Sequence, residues 1–338
     1  MSGRLLGYPE ALQRLQQELA QERISHAYLV VGPSQVGKRV LALDLAQALN
    51  CVGDSPPCGL CPHCLKTVSG THPDVQVLGL QYDQKGERLR KEIGIDQVRA
   101  LQHDAGLHPF WGKYRVFIVD EAQRLSSEAA NCLLKTLEEP PAACILVLLV
   151  TDERSLPSTV VSRCRKIYMY PLARGGVERA LLEQGATEEE ARLLSRLSRG
   201  SLGWALAARD DAGQMESRAS GLDALKKTLD GGLPERFKLA ERMAGLYYKD
   251  MDALDRSLQM WLGWWRDLLL VRGGHREAID NVDQEEGLGH WSGQLAMQDI
   301  VAFIRAILDT MDGLERNVNP RLALEALMLR IPAVLNGA

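Results

Sequence analysis

The segment Gly32-Pro33-Ser34-Gln35-Val36-Gly37-Lys38 constrains this chain more than any other. It joins an apolar run, His26-Ala27-Tyr28-Leu29-Val30-Val31, to a helical pattern through Leu41, Leu43, Leu45 and Leu49. Glycines let backbone N–H groups curl around an anion, a lysine neutralises its charge, and the helix N-terminus adds its dipole. A buried strand, a glycine turn and a helix in that order make one unit of a parallel α/β sheet. Three more apolar runs supply strands: Val75–Leu78, Val116-Phe117-Ile118-Val119 and Ile145–Val150, the last two separated by a helical stretch from Ser127 to Leu137. This alternation predicts a parallel sheet covered on both faces.

Gly32, Gly37 and Lys38 are therefore candidate nucleotide contacts. The loop departs from the full phosphate-binding pattern at its eighth position. A Ser or Thr hydroxyl would coordinate Mg²⁺ there, but the residue is Arg39, whose guanidinium cannot ligate a metal. Downstream, the strand Val116–Val119 ends in Asp120-Glu121, which suits one acid supporting Mg²⁺ and a second positioning water, and equally suits a capped turn into a helix. ATP or ADP binding stays open, and Mg²⁺-dependent hydrolysis is not expected.

With 338 residues and 46% hydrophobic content the chain has material for two or three compact domains. A net charge of −4 offers no global attraction to phosphate backbones, so contact with nucleic acid must be local or made through partners. Segment 9–22 reads as an amphipathic helix with charges throughout, unlike a signal peptide, and nothing reaches the roughly 18 apolar residues of a membrane span. A cytoplasmic location follows as an expectation. In that reducing compartment the seven cysteines are not expected to form disulfides.

Four of them, Cys51, Cys58, Cys61 and Cys64, give C-x6-C-x2-C-x2-C in a turn-rich insert with Pro56, Pro57, Gly59 and Pro62. Four thiolates at short spacing close a tetrahedral structural zinc site. A redox use of the C-x2-C pairs is weaker, and an iron–sulfur cluster is a further alternative. His63 and His72 read as ordinary surface histidines, and Cys132, Cys144 and Cys164 as small buried residues.

From about Ala173 onward strand signals cease. Short helices are expected over 177–207, then a polar, glycine-containing stretch at 208–221, then long helices including Met251–Val271 and Leu295–Leu314. Met260–Leu270 holds three of the six tryptophans and reads as a helix core, with an intersubunit surface as the alternative. Asn317 and Asn319 read as helix caps. Lys85, Arg88, Arg90 and Lys91, interrupted by Glu87 and Glu92, read as a solvated face.

The order GPxxxGK, VDEA, LLxTxxxxLPxTxxSRC resembles the AAA+ module of bacterial DNA polymerase III clamp loader subunits over most of 1–172. The resemblance implies an α/β AAA+ P-loop domain over 1–172 with an inserted zinc module at about 51–70. A small helical lid over 173–210 and an all-α collar over 211–338 would follow. It implies that Arg163 of Ser162-Arg163-Cys164 reaches in trans to a neighbouring subunit's ATP, and that Thr151 holds the place of a sensor threonine; the alternatives are an Arg163 paired with a carboxylate on its own surface and a Thr151 that merely ends a strand. The family's second sensor arginine is replaced: Gly200-Ser201-Leu202-Gly203 has Gly203 in its place. Losses at Arg39 and Gly203, with the finger retained, resemble the delta-prime type more than the ATP-hydrolysing gamma/tau type, which stays as the alternative. A zinc-dependent nucleic-acid-binding module is a second alternative. The implied partners are gamma/tau and delta subunits in a hetero-pentamer and, through it, a sliding clamp and primed DNA; no membrane is implied.

Overall fold

A computed structural model of the chain describes residues 21, 23–82, 90–316 and 318–332, without the side chains of Ala212 and Glu315. The helix expected over 9–22, apart from residue 21, and the expectations for Lys85, Glu87, Arg88 and Asn317 lie outside the described residues. Arg90, Lys91 and Glu92 are exposed, as a solvated face requires.

The first part of the chain runs β1 (Ala27–Val31), α1 (Lys38–Asn50), α2 (Pro62–Val68), β2 (Val75–Leu78), α3 (Ile95–Ala105), β3 (Arg115–Val119), α4 (Ser127–Glu138), β4 (Cys144–Val150), α5 (Ser158–Val161) and β5 (Arg165–Tyr168). The strands form one parallel sheet in the order β2-β3-β4-β1-β5. Alternation along each strand builds a core on each face. Leu29, Phe117, Leu146 and Leu148 meet Leu101 and Leu133 of α3 and α4 on one side. Val30, Ile118, Val147 and Leu149 meet Leu41, Leu45 and Leu49 of α1 on the other. This is the expected α/β architecture, a parallel sheet covered by helices on both faces.

The sheet exceeds the expectation by one strand. Arg165-Lys166-Ile167-Tyr168 is an edge strand, mostly exposed, pairing with β1 alone, so it carries no apolar run to announce it.

The rest is helical: α6 (Arg174–Glu183), α7 (Glu188–Leu197), α8 (Leu202–Asp210), α9 (Ala212–Asp230), α10 (Leu233–Lys249), α11 (Met251–Arg272), α12 (Glu285–Gln294), α13 (Met297–Glu315) and α14 (Pro320–Leu329). Two compact units divide the chain: Met1–Ala180 with Gly200–Trp204, and Leu181–Arg199 with Ala205–Ala338. The stretch 208–221, expected to separate helices, instead belongs almost wholly to α8 and α9. Asp211 caps α9 by accepting from Gly213 N, and a Cβ on Gly221 would lie 2.6 Å from Met260 Cε, so that glycine serves close helix packing. Trp261, Trp264 and Trp265 are at most 2% exposed, which assigns them to the core of the second unit. Asn319 caps α14 by accepting from Leu322 N at 3.2 Å.

Candidate functional site

The phosphate loop sits at the carboxyl end of β1, between β4 and β5, where ligands of open parallel sheets bind. Gly37 adopts the left-handed φ of 100° that the entry to α1 demands. Gly32 is needed for another reason: a side chain there would collide with the Met169 carbonyl just beyond β5.

The loop's charges are engaged within the chain. Lys38 Nζ donates to the carbonyls of Gly32 (2.5 Å) and Pro33 (2.7 Å). Burial lowers its pKa to about 8, against the opposing pull of Asp120 and Glu121. Arg39 Nη1 lies 3.7 Å from Asp120 Oδ2, so a guanidinium faces the acid that would have supported a metal. Glu121 sits beside it in a left-handed conformation, φ 52°. Thr151 is exposed at the end of β4.

The loop is also covered. Gly203 N donates to the Gln35 carbonyl at 2.9 Å and Ser201 Oγ to the Ser34 carbonyl at 3.3 Å. A Cβ at position 203 would fall 2.6 Å from that Gln35 oxygen, so no side chain, and no sensor arginine, fits there.

The C-terminal end of α1 anchors the cysteine insert. Gln47 Nε2 donates to the Cys64 carbonyl at 2.8 Å, and Asn50 exchanges two bonds with the backbone of Tyr114. The ligand atoms of Cys51, Cys58, Cys61 and Cys64 all lie within 4.8 Å of one another. Two sulfur pairs are 3.9 and 4.0 Å apart, near the roughly 3.8 Å that tetrahedral Zn–S bonds of about 2.3 Å require. Backbone N–H groups of Gly53, Cys58 and Cys61 point at the sulfurs. Burial raises the Cys51 and Cys64 thiols. At Cys61 burial is outweighed by the N–H groups of Val52 and Cys64, which bring the thiol to about 6. The sulfurs converge and part of the set is readily ionised, so the donor set fits a thiophilic divalent ion.

His63 and His72 correct the expectation of surface histidines: they are 6% and 3% exposed and are not among the converging ligands. Asp74 N donates to His72 Nδ1 (3.1 Å), which leaves His72 Nε2–H to donate to His63 Nδ1 at 2.9 Å. Trp111 stacks on His63 at 3.9 Å between ring centroids. Burial, with His63 alongside, pushes the His72 pKa down. Asp74 accepts from the N–H groups of Phe110, Trp111 and Gly112 at 2.6–2.7 Å and pairs with Arg115. Burial would raise its carboxyl, but those three donors hold it below the usual range. The insert is thus braced by a buried polar network that sequence spacing did not reveal.

Arg163, between α5 and β5, pairs through Nη2 with Glu138 Oε1 at 2.7 Å and donates from Nη1 to the Thr159 carbonyl at 2.9 Å. Cys144 and Cys164 are buried, and burial pushes their thiols up to about 11 and about 12. Cys132 is only half-buried, its thiol donating to Gln102 Oε1 at 3.0 Å.

Comparison with known proteins bears on these arrangements. Residues 7–173 match the family described as "DNA polymerase III, delta subunit". The DNA polymerase III subunit delta' of Bacillus subtilis is 28% identical over 324 residues, which cover 96% of this chain and 95% of that relative. The chain belongs to the delta-prime family of clamp loader subunits. DNA polymerase III subunit tau of Salmonella typhimurium is 34% identical over 239 residues, but these are 67% of this chain and only 36% of the relative. A solved gamma subunit-related protein from Thermotoga maritima is 21% identical, covers 95% of this chain and 99% of its own, and superposes with a TM-score of 0.47.

For a delta-prime family member the division among the expected residues is informative. Gly32, Gly37, Lys38, Asp120 and Glu121 come together around one loop, where Arg39 and Gly203 join them. Thr151 marks the end of the adjacent strand β4. Arg163 belongs to a separate element, the turn between α5 and β5, with its own carboxylate partner. No helix among the described residues is long and apolar enough to cross a membrane.

Proposed function

We propose that this clamp loader subunit donates Arg163 in trans to ATP held by a neighbouring gamma/tau-type subunit and turns over no nucleotide itself. The observation that carries the reading is Arg39 at 3.7 Å from Asp120, a cation facing the carboxylate of its own site. The Gly203 N–H on the Gln35 carbonyl supports it, since it occupies ground that a sensor arginine would need. In the same reading Thr151, Asp120 and Glu121 are remnants of a nucleotide site, able at most to retain ATP or ADP beside Lys38.

Cys51, Cys58, Cys61 and Cys64 would hold a structural zinc ion, which supplies a cross-link for an insert with little apolar content. Residues 173–210 and 211–338 would serve as lid and collar of a hetero-pentamer with gamma/tau and delta subunits. That cytoplasmic assembly would place a sliding clamp on primed DNA.

The test is reconstitution with gamma/tau and delta subunits, clamp and primed DNA. Arg163→Ala should lower DNA-stimulated ATP hydrolysis by a factor on the order of 10³–10⁵, the worth of an arginine finger elsewhere. An unchanged rate in an assembled complex would remove the finger role.

A further inference from the structure

Arg163 does not stand free on the surface. Its guanidinium is held by Glu138 at 2.7 Å and by the Thr159 carbonyl at 2.9 Å, while the side chains of Arg163 and Glu138 remain 36% and 51% exposed. Glu138 is the last residue of α4, and Glu139 caps the same end. A helix C-terminus carries partial negative charge and favours cations, so two successive carboxylates there work against the helix. The position of Glu138 makes sense through what it holds.

We propose that Glu138 is a positioning residue that latches Arg163 on its own subunit until a neighbour's nucleotide competes for the guanidinium. The proposal rests on the finger reading above and adds a control to it. Carboxylate and phosphate offer an arginine the same paired-acceptor geometry, and a nucleotide's terminal phosphates carry more charge and more oxygens. No bond is made or broken in the exchange; one ion pair replaces another. An exposed ion pair biases an equilibrium by no more than about fivefold, so the latch yields readily to a bound polyphosphate and still discriminates against an empty neighbour.

The experiment follows ATP hydrolysis against ATP concentration in the reconstituted complex with wild-type, Glu138→Gln, Glu138→Asp, Arg163→Ala and the Glu138→Gln/Arg163→Ala double variant. Losing the carboxylate should lower KM for ATP about two- to fivefold, with kcat within about twofold of wild type. Glu138→Asp, which keeps the charge, should stay near wild type, and Glu138→Gln should do nothing further on the Arg163→Ala background. A wild-type or raised KM in Glu138→Gln, an equal effect in Glu138→Asp, or the same effect without Arg163 would each overturn the latch. If Arg163→Ala itself leaves hydrolysis intact, the finger reading falls and takes the latch with it. If Arg163→Ala is inactive while Glu138→Gln keeps the wild-type KM, only the latch is lost.

Discussion

The two ends of α1 carry two ligand-type loops built on opposite principles. At the N-terminal end, Lys38 is occupied by loop carbonyls, Arg39 faces Asp120, and two loop carbonyls receive hydrogen bonds from Gly203 and Ser201. At the C-terminal end, four sulfurs converge within 4.8 Å and receive backbone N–H groups. Like charges brought together need a counter-charge, whereas charges already matched by the chain do not. The first loop therefore folds complete, and the second calls for a cation.

The largest effect that could break this contrast is metal removal. Structural zinc contributes apparent binding energies of about 10–16 kcal/mol in small peptides. A strong chelator, or Cys64→Ser, should lower the melting temperature and make residues 51–70 sensitive to protease. Millimolar Mg²⁺-ATP should leave the melting temperature of the isolated chain unchanged, because only a ligand that binds the folded state raises it. A chain indifferent to chelation, or one stabilised by Mg²⁺-ATP, would invert the comparison.

Next in size is the pH dependence of Lys38. Its pKa is about 8 in the folded chain against an ordinary 10.5. Between those values the unfolded chain binds the extra proton, so stability rises with pH through that window, and below about 8 the cost of the buried charge is felt in full. Relative to Lys38→Met, the wild-type chain should gain at most about 3 kcal/mol between pH 7.5 and 10.5, at about 1.36 kcal/mol per pH interval of one. Urea denaturation of both chains at the two pH values measures the difference. Parallel curves would mean that Lys38 is not held buried by the loop.

What could be read in advance followed from where each signal resides. β1 to β4 are apolar runs and the loop is contiguous, so composition along the chain exposes them. β5 is an edge strand with polar faces, and α9 tolerates its glycines because Gly221 packs against Met260, neither of which leaves a local pattern. The four converging cysteines were legible because their spacing is short. The bracing by His63, His72, Asp74 and Trp111 was not, since it joins α2 to the loop before β3 through folded contacts alone. Arg39 could be recognised as a departure from the loop pattern and Asp120 as an acid of the same site, but that the two face each other, one from α1 and one just past β3, is known only from the fold.

That last pair gives the smallest and sharpest prediction. The side chains of Arg39 and Asp120 are 60% and 29% exposed and 3.7 Å apart, so solvent screening limits the pair to about 0–1 kcal/mol of stability. Arg39→Ser should therefore leave the denaturation midpoint almost unmoved. It replaces the cation facing Asp120 with a hydroxyl able to coordinate Mg²⁺, and so should let the isolated chain bind Mg²⁺-ATP more tightly than wild type by equilibrium dialysis. Turnover should stay absent, because Gly203 still leaves no room for a second arginine over the loop. Equal affinity in the two chains would show that the cover from Gly203 and Ser201, rather than Arg39, closes the first loop.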